Sequence, residues 1–388
     1  MKKFTVLGSL LFGAVLGLNA QTAKVQVIHN CPDAPSVDIY VVQGTTVTKL
    51  DDFKFRTATS FIELAAGVET IVYVAFDNST SINDAIFAKP YESLPEGMLY
   101  LVAAGELSLA KSETNNENGF DLFVSPASDN ADADKTNLLV FHGIADAPAV
   151  DVSARDLDPV RVEFPGTVLV PNLSFGQFTE NYLELPTIDG YVIDLKVNST
   201  GDVVSSCGLP LASYQAAGAS ALVVASGKLS TGDFGLFAVA PEGGDFFELP
   251  TNAYVQVIHN SADVLLSVVD LYVKFGSDEV KLDDVAFRTA TSYLELPSDV
   301  DISVVPALAT STTSAEGVAN IPVGKLLPGY YYQVIASGIF SPSGYNPAKA
   351  FELLTVLGRP NAYNNDNFDV QVLHGATDAP AVDVLARG

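Results

Sequence analysis

The alternation of apolar and polar residues predicts short β-strands along most of the chain. In segment 25–30 every second side chain lies on one side of an extended chain, and the alternation resumes in 37–41. A period of two over β-branched residues is typical of strands. Residues 31–36, with two prolines and an aspartate, favour a turn. The sequence therefore predicts a hairpin-like pair of strands at this position.

The same phrase occurs four times, and each copy contains one of the four histidines. The histidines are 113, 117 and 115 residues apart, and each interval is an ordinary domain length. Short β-rich runs separated by Gly, Pro, Asn and Ser fill the intervals, which predicts an all-β protein of tandem immunoglobulin-like or Greek-key β-sandwich domains. The four copies contain His29, His142, His259 and His374.

These spacings, together with polar joints such as 125–135, predict three complete sandwich domains and the start of a fourth. Because the phrase opens each earlier copy, we expect the native chain to continue past residue 388. The alternative is that the final strands dock onto copy three. The predicted boundaries are 1–20 for a signal peptide, 22–136, 137–252 and 253–367 for the three β-sandwich repeats, and 368–388 for the start of a fourth, incomplete repeat.

The N-terminus has the pattern of a secretory signal peptide. Lys2 and Lys3 precede an apolar run, and small residues ending at Ala20 form a cleavage site. The run is short for a membrane span, and no later stretch reaches spanning length. We therefore expect an extracytoplasmic protein, secreted or on a bacterial cell surface, without a transmembrane span.

Charge and cysteine usage narrow the classes of partner. Loss of Lys2 and Lys3 with the signal peptide changes the formal net charge from −26 to −28, which disfavours binding to nucleic acid or to anionic lipid. Cys31 and Cys207 occupy different repeat positions, whereas a disulfide framework would repeat with the unit. We therefore interpret the two cysteines as incidental, and their pairing stays open.

Two further landmarks recur. The sequence L-D-D-F-K-F-R-T-A-T-S (50–60) returns as L-D-D-V-A-F-R-T-A-T-S (282–292), while copy two has lost its Arg-Thr-Ala-Thr. The pattern Leu-x-Pro-Gly-x-x-Tyr, complete at Tyr332 and partial at Tyr100, resembles the tyrosine corner of Greek-key sandwiches. In that corner the tyrosine hydroxyl bonds to backbone a few residues upstream.

The histidine of each phrase is followed by aspartates at +4 and, in three copies, at +9. One imidazole and two carboxylates across a turn are a candidate zinc-type site; the weak metal candidates are His29, Asp33, Asp38, His142, Asp146 and Asp151. The alternative is a structural turn, in which aspartates bond to backbone donors. The +11 spacing in copy three is expected to change the geometry of the second carboxylate and so favours this alternative, and we expect no cofactor. The structural signature residues are His29, Asp33, Pro35, Asp38, His142, Asp146, Pro148, Asp151, His259, Asp263, Asp270, His374, Asp378, Pro380 and Asp383.

Two other groups are weaker candidates. The pairs Asp51–Asp52 and Asp283–Asp284 offer oxygen ligands for weak Ca²⁺ binding, although a solvated turn explains them better because they lack a spaced calcium-loop pattern. Arg56 and Arg288 suit either an anionic ligand or an ion pair with a local aspartate.

The repeat phrase resembles a bacterial family, the Domain of Unknown Function 4397. The closest match is C-P-D-A-P-S-V-D-I-Y-V (31–41), followed by D-A-P-A-V-D-V (146–152). Copy three departs from the pattern, with D-V-L-L (263–266) in place of Asp-Ala-Pro. The resemblance implies an extracytoplasmic β-sandwich over nearly all of the mature chain, and it implies no activity for any residue.

The chain contains no G-x-S-x-G, H-E-x-x-H or glycine-rich phosphate loop. We therefore expect no enzyme, and favour a binding, adhesion or spacer protein with an extracellular glycan or protein ligand. The alternatives are an extracellular carbohydrate-active enzyme or accessory, and a metal-binding module using the phrase. Because the chain lacks Trp, Tyr40, Tyr272 and Tyr330 are the candidates for stacking against sugar rings.

Overall fold

A computed structural model describes residues 21–107, 119–156, 165–341, 349–358 and 370–385. Within these ranges the regular structure is β-strand, with a few three-residue 3₁₀ turns, so the prediction of an all-β sandwich fold is confirmed. The described residues contain no helix with the length and apolar content needed to cross a bilayer. The predicted signal peptide lies outside the described residues.

The strands fall into three successive sets, which we call units 1, 2 and 3. Unit 1 contains β1 (Thr22–Asn30), β2 (Ser36–Gln43), β3 (Thr46–Lys54), β4 (Thr57–Ala58), β5 (Ile62–Ala65), β6 (Thr70–Phe76), β7 (Ala85–Tyr91), β8 (Gly97–Ala104) and β9 (Asp121–Ala127). Unit 2 contains β10 (Lys135–His142), β11 (Val150–Asp156), β12 (Pro165–Leu173), β13 (Leu183–Pro186), β14 (Tyr191–Val197), β15 (Val203–Leu209), β16 (Ser220–Lys228), β17 (Asp233–Val239), β18 (Gly244–Asp245) and β19 (Phe247–Glu248). Unit 3 contains β20 (Asn252–Ser261), β21 (Val268–Phe275), β22 (Asp278–Ala286), β23 (Thr289–Ala290), β24 (Leu294–Pro297), β25 (Asp301–Leu308), β26 (Ile321–Lys325), β27 (Tyr331–Gly338) and β28 (Glu352–Gly358).

Each unit has two sheets with the same connectivity. The first sheet holds the strand with the histidine, which pairs in parallel with a late strand of the unit: β1 with β8, β10 with β16 and β20 with β27. The second sheet has the orders β3-β2-β6-β7, β12-β11-β14-β15 and β22-β21-β25-β26. Each phrase therefore crosses from one sheet to the other through its turn, so the predicted hairpin-like pairing of its two strands is wrong.

The apolar positions predicted by alternation lie between the two sheets of each unit. In unit 1, Val25 and Val27 from the first sheet pack with Ile39 and Val74 from the second. Units 2 and 3 have corresponding cores. Burial of these side chains is the main favourable term that holds the two sheets of a unit together.

Units 1 and 2 pack face to face through their first sheets. Ile28 and Val102 of unit 1 lie in one buried cluster with Phe141, Leu222 and Val224 of unit 2. In addition, β18 pairs antiparallel with β4 and so extends the first sheet of unit 1. The first two units therefore share a core, which an arrangement of separate sandwiches strung in line does not provide.

Units 2 and 3 meet through a smaller set of contacts. The Tyr330 hydroxyl donates to the Tyr191 carbonyl at 2.8 Å and accepts from the Gly190 amide at 2.8 Å. Val192 packs into the core of unit 3, and the Arg155 guanidinium lies 3.3 Å from an Asp299 carboxylate oxygen. This junction joins a strand end of unit 2 to a turn of unit 3.

Candidate functional site

Both ring nitrogens of His29, His142 and His259 are hydrogen-bonded. His29 Nε2 lies 2.8 Å from the Ala34 carbonyl oxygen, and its Nδ1 accepts from the Cys31 amide at 3.3 Å. Because a carbonyl oxygen only accepts, Nε2 carries the proton and the ring is neutral. The Nε2 contacts of the other three histidines are to the carbonyls of Pro148, Leu266 and Pro380.

Burial keeps the imidazoles neutral. It lowers the pKa of His29 to about 4, with a smaller opposing effect from the Ala34 carbonyl and Asp33. Burial also lowers the pKa of His142 and His259. In the neutral His29 ring, Nδ1 carries the one available nitrogen lone pair, and this lone pair already accepts the hydrogen bond from the Cys31 amide. The ring therefore offers no lone pair to a metal ion.

The aspartate at +4 ties the phrase to the loop after the late parallel strand. Asp33 Oδ1 accepts from the Leu107 amide at 2.7 Å, and Asp146 accepts from the Leu229 and Ser230 amides at 2.9 Å. Asp263 accepts from the Ser341 amide. The carboxylate therefore satisfies backbone donors at equivalent places in three units, which is the chemistry expected of a turn aspartate.

The later aspartate lies in a different place, against the second sheet. Asp38 is fully buried; it accepts from the Asp52 amide at 3.0 Å and from the Ser79 hydroxyl, and it lies 2.9 Å from Lys49 Nζ. Burial acts to raise the pKa of Asp38, but the bonds from Ser79, Lys49 and Asp52 outweigh it and hold that pKa below its usual value.

The +11 spacing in unit 3 leads to the same local geometry. Asp270 accepts from the Asp284 amide at 3.0 Å and the Ser311 hydroxyl at 2.8 Å, and it lies 3.0 Å from Lys281 Nζ. A 3₁₀ turn at Val264–Leu266 accommodates the two extra residues. The expectation that +11 changes the geometry of this carboxylate is therefore wrong. In unit 2, Asp151 instead accepts from the Asn172 amide and the Asn198 side chain.

The acidic pairs lie within strands, so the interpretation of Asp51–Asp52 and Asp283–Asp284 as turns is wrong, whereas their side chains are exposed to solvent as expected. Asp52 and Asp284 have φ of 48° and 54° at irregularities in the pairing of β3 and β22. The carboxylates of Asp38, Asp51 and Asp52 lie close together. Lys49 Nζ is 2.6 Å from Asp51, and Lys281 is likewise 2.6 Å from Asp283. A lysine ammonium thus already pairs with a carboxylate of each acidic pair.

The two landmark arginines have different surroundings. Arg56 bonds to the Ser226 hydroxyl at 3.1 Å and to Asp233 at 3.2 Å, and its guanidinium lies 4.3 Å from the centroid of the Phe237 ring. Its ion pair is therefore with another unit, and the expected local aspartate is not the partner. Arg288 is exposed and lies over the ring of Phe287.

The tyrosines and cysteines proposed from sequence are buried. Tyr40 and Tyr272 bond to Ser79 and Ser311, and Tyr330 joins units 2 and 3, so none of the three offers a free ring face. Tyr332 accepts from the Leu327 amide at 3.2 Å, in the manner of a tyrosine corner, whereas Tyr100 lies between units 1 and 2. The cysteines are free and lie in different cores, Cys31 in unit 1 and Cys207 in unit 2.

Sequence reasoning missed a group of partly exposed aromatic rings, which we call the tyrosine platform. It consists of Tyr214, Phe247, Tyr254, Tyr293 and Tyr331. Tyr254 and Tyr331 are paired on neighbouring strands, with ring centroids 4.5 Å apart and planes inclined by 13°. Tyr293 stands edge-on to Tyr331 at 5.0 Å.

The unit 2 side of the tyrosine platform is the more exposed. Tyr214 and Phe247 are 39% and 52% exposed, with ring centroids 5.3 Å apart. The pKa of Tyr214 is raised, first by burial and then by electrostatic interaction with Tyr254 and Tyr331 of unit 3.

Polar groups border these rings. Gln333 bonds to Gln256 at 3.1 Å and also to Tyr293, and Asn252 bonds to Glu295 at 2.9 Å. Aromatic faces next to amide and carboxylate groups can stack against an apolar ring face and bond to its hydroxyls. The outward parity of Tyr254 was a sequence signal for the platform, but its pairing with Tyr331 requires the fold.

Comparison with known proteins gives a family match. The sequence model of the family described as "Domain of unknown function (DUF4397)" matches residues 23–153 and 253–385. No curated protein matches the chain.

The structural likenesses are weak. The Bacillus anthracis TIE protein is 12% identical with a TM-score of 0.21; the likeness covers 81% of this chain, which spans half of that one (50%). The truncated tip fimbrial protein Mfa3 of Porphyromonas gingivalis is 10% identical, with coverage of 87% and 99% and a TM-score of 0.20. A family CBM26 module of Eubacterium rectale Amy13K, in complex with maltoheptaose, is 11% identical, with coverage of 57% and 98% and a TM-score of 0.19. Likenesses at these scores carry no argument about the ligand of this chain.

Proposed function

The chain belongs to the family described as Domain of unknown function (DUF4397), and we propose that it is a non-catalytic, extracytoplasmic binding protein whose ligand surface is the tyrosine platform. The observation that carries the proposal is a set of partly exposed rings, with Tyr214 against Phe247 in unit 2 and Tyr254 and Tyr293 against Tyr331 in unit 3. The ligand class that fits is a saccharide, because a pyranose has an apolar face to stack on an aromatic ring and hydroxyls for bordering polar groups.

The phrase residues have a structural role in this proposal. His29 joins the end of β1 to its own turn, Asp33 joins that turn to Leu107, and Asp38 joins β2 to β3 and Ser79. Similar bonds at His259, Asp263 and Asp270 support a frame that is repeated because the fold is repeated. The carboxylates in this frame are bonded to backbone and to Lys, which argues against the metal-binding alternative.

Affinity gel electrophoresis tests the proposal with starch, mixed-linkage β-glucan, xylan and mannan as probes. We expect the mature chain to be retarded by at least one polysaccharide, and Tyr331→Ala or Tyr254→Ala to weaken that retardation about tenfold or more, which corresponds to about 1.4 kcal/mol. The matched control is Tyr73→Ala, a half-buried tyrosine on β6 of unit 1. Equal retardation of all variants would contradict the proposal.

The enzyme alternative makes a different prediction in the same assay. A carbohydrate-active enzyme would shorten the polysaccharide, and one Asp or Glu substitution would abolish the hydrolysis while binding at the tyrosine platform persisted. Reducing-end analysis after prolonged incubation therefore separates the two functions. We expect no increase in reducing ends.

A further inference from the structure

The outer face of the first sheet in unit 3 is exposed where the same face of unit 1 is buried. Ile28 and Gln26 are completely buried against unit 2, whereas the equivalent Ile258 and Gln256 are half-buried. Ala58 is 6% exposed, and its equivalent Ala290 is classed as exposed. Unit 3 therefore leaves uncovered the face that, in unit 1, is covered by unit 2.

The segment 370–385 approaches this face as the start of unit 2 approaches unit 1. The Asn30 side chain donates to the Gly143 carbonyl at 3.1 Å, and the Asn260 side chain donates to the Gly375 carbonyl at 3.3 Å. Both glycines lie so close to their asparagine that a Cβ atom would collide with the amide nitrogen. The same contact thus occurs at both places, after the same position of the repeat.

The apolar residues on the other side of this segment have no core around them. Val372 and Val384 are 60% and 64% exposed, whereas the equivalent Val140 and Val152 in unit 2 are 6% and 1% exposed. The segment also keeps the His374 to Pro380 bond of the phrase. The segment therefore has the local structure of a unit's first turn, but the side chains that would face a sandwich core are exposed.

The sequence alternates with a period of two units. Units 1 and 3 share R-T-A-T at 56–59 and 288–291, which unit 2 lacks. Unit 2 and the last segment share H-G-x-x-D-A-P-A-V-D-V at 142–152 and 374–384. The two family matches, 23–153 and 253–385, each cover one unit and the opening of the next.

We propose that the outer face of the first sheet in unit 3 is the docking surface for a β-sandwich unit of the unit 2 type that continues from residues 370–385. The structural block of this protein is then a pair of units packed face to face. A second copy of the chain fits less well, because the complementary face of unit 2, formed by Phe141, Leu222 and Val224, is already buried against unit 1.

This docking leaves the central pair of the tyrosine platform uncovered. The positions in unit 1 that correspond to Tyr254 and Tyr331 are Lys24 and Met98. With unit 2 docked, Lys24 is exposed and Met98 is half-buried.

The two surfaces adjoin on one sheet. Gln256, Gln333 and Tyr293 lie on the docking side, because the equivalent Gln26, Tyr100 and Phe61 pack at the junction with unit 2. The docking experiments need no saccharide, so either proposal can fail without the other.

The first experiment appends residues 153–250 after Val384 of the chain that begins at Gln21, which completes a unit of the unit 2 type. Ala290→Cys reports the docking, because this exposed position should react with a maleimide at least tenfold more slowly once it is covered. In residues 21–388 alone, Ala58→Cys is the covered benchmark and Ala290→Cys is the open one. A folded appended unit with an unchanged Ala290→Cys rate would overturn the proposal.

The second experiment uses residues 21–388 without an appended unit. It tests which side of segment 370–385 faces unit 3, and it does not depend on the folding of an appended unit. A benzophenone amino acid at Leu373, the equivalent of Phe141, should crosslink to peptides 254–260 or 331–337 of unit 3. The matched control carries it at Val372, the equivalent of the inward Val140, and should give at least fivefold less of these products. Equal crosslinking from both positions, or no unit 3 product from Leu373, would overturn the proposal.

Discussion

Strands β1 and β20 carry the same V-Q-V-I-H-N sequence, but they are buried differently. From Val25 to Asn30 every residue of β1 is buried, whereas β20 alternates between buried and half-buried residues along its whole length. The inward side chains of both strands enter the core of their own unit. The outward side chains of β1 are covered because unit 2 lies on them. The difference shows that the repeat sequence sets one face of the strand, while the neighbouring unit sets the other.

The largest loss of stability should come from removing an apolar side chain at the junction between units 1 and 2, which covers the outward face of β1. Phe141 is completely buried between units 1 and 2. We expect Phe141→Ala to lower the free energy of unfolding of these two units by about 3–5 kcal/mol, because it removes a buried aromatic ring and leaves a cavity. Urea titration followed by hydrogen exchange and mass spectrometry resolves the units.

The matched control is Leu373→Ala, at the equivalent position of the last segment, where the side chain is 43% exposed. We expect a change within about 0.5 kcal/mol there, as for ordinary surface positions. An equal loss of protection in unit 3 on Phe141→Ala would show that all three units unfold together, and the contrast between β1 and β20 would then carry no energetic consequence.

A fall in pH should also affect the stability of units 1 and 3 differently. Burial lowers the pKa of His29 from the ordinary value of 6.5 to about 4, so below pH 6.5 the unfolded chain binds a proton that the folded chain does not. Stability should therefore fall as the pH falls from 6.5 towards 4, by about 3 kcal/mol from His29 alone. Burial also lowers the pKa of His259, but one ring, Phe287, lies against it, whereas Phe53 and Phe55 both lie against His29.

Unit 1 should consequently lose stability more steeply than unit 3 over this pH range. Denaturant titrations at pH 7.5, 5.5 and 4.5 test this expectation, again with unit-resolved hydrogen exchange. His29→Gln should flatten the profile of unit 1 alone. Parallel profiles in wild-type units 1 and 3 would mean that the surroundings of His29 and His259 desolvate the two rings equally.

The frame that both units share should respond equally. Ser79 bridges Tyr40 and the buried Asp38, and Ser311 does the same for Tyr272 and Asp270. We expect Ser79→Ala and Ser311→Ala each to lower the free energy of unfolding by about 1–3 kcal/mol, because each leaves buried polar partners unsatisfied. The exposed Ser60→Ala is the control. A difference above about 1 kcal/mol between the two variants would contradict a common frame.

Much of this frame could be predicted from sequence because it depends on local pattern. Parity along segment 25–30 identified the inward residues, and the composition of 31–36 identified the turn. The hairpin-like pairing expected across that turn is wrong, because β1 and β2 belong to different sheets. Alternation cannot reveal what covers the outward Gln26 and Ile28, since that depends on another unit more than 100 residues away. Spacing also misled at Asp270, where a short 3₁₀ turn accommodates two extra residues.

The tyrosine platform could not be predicted for a similar reason. Its central pair, Tyr254 and Tyr331, meets only through the parallel pairing of β20 with β27. Tyr40 and Tyr272, which the sequence offered as candidates for stacking, belong to the repeat phrase. Their hydroxyls instead bond to Ser79 and Ser311 in the buried frame.

The smallest difference in stability should come from replacing Arg56 of unit 1 and the equivalent Arg288 of unit 3. Arg56 and Arg288 both have positive φ, 59° and 65°, so replacement by alanine changes the backbone energy alike in both. The difference between Arg56→Ala and Arg288→Ala then reports the contacts of Arg56 with Asp233 and Phe237. We expect Arg56→Ala to be the more destabilising by about 1 kcal/mol, because Asp233 is largely exposed and most of the gain comes from the stacked guanidinium. Repeating both unfolding measurements in 1 M NaCl should leave most of that difference, whereas its disappearance in salt would assign it to the ion pair.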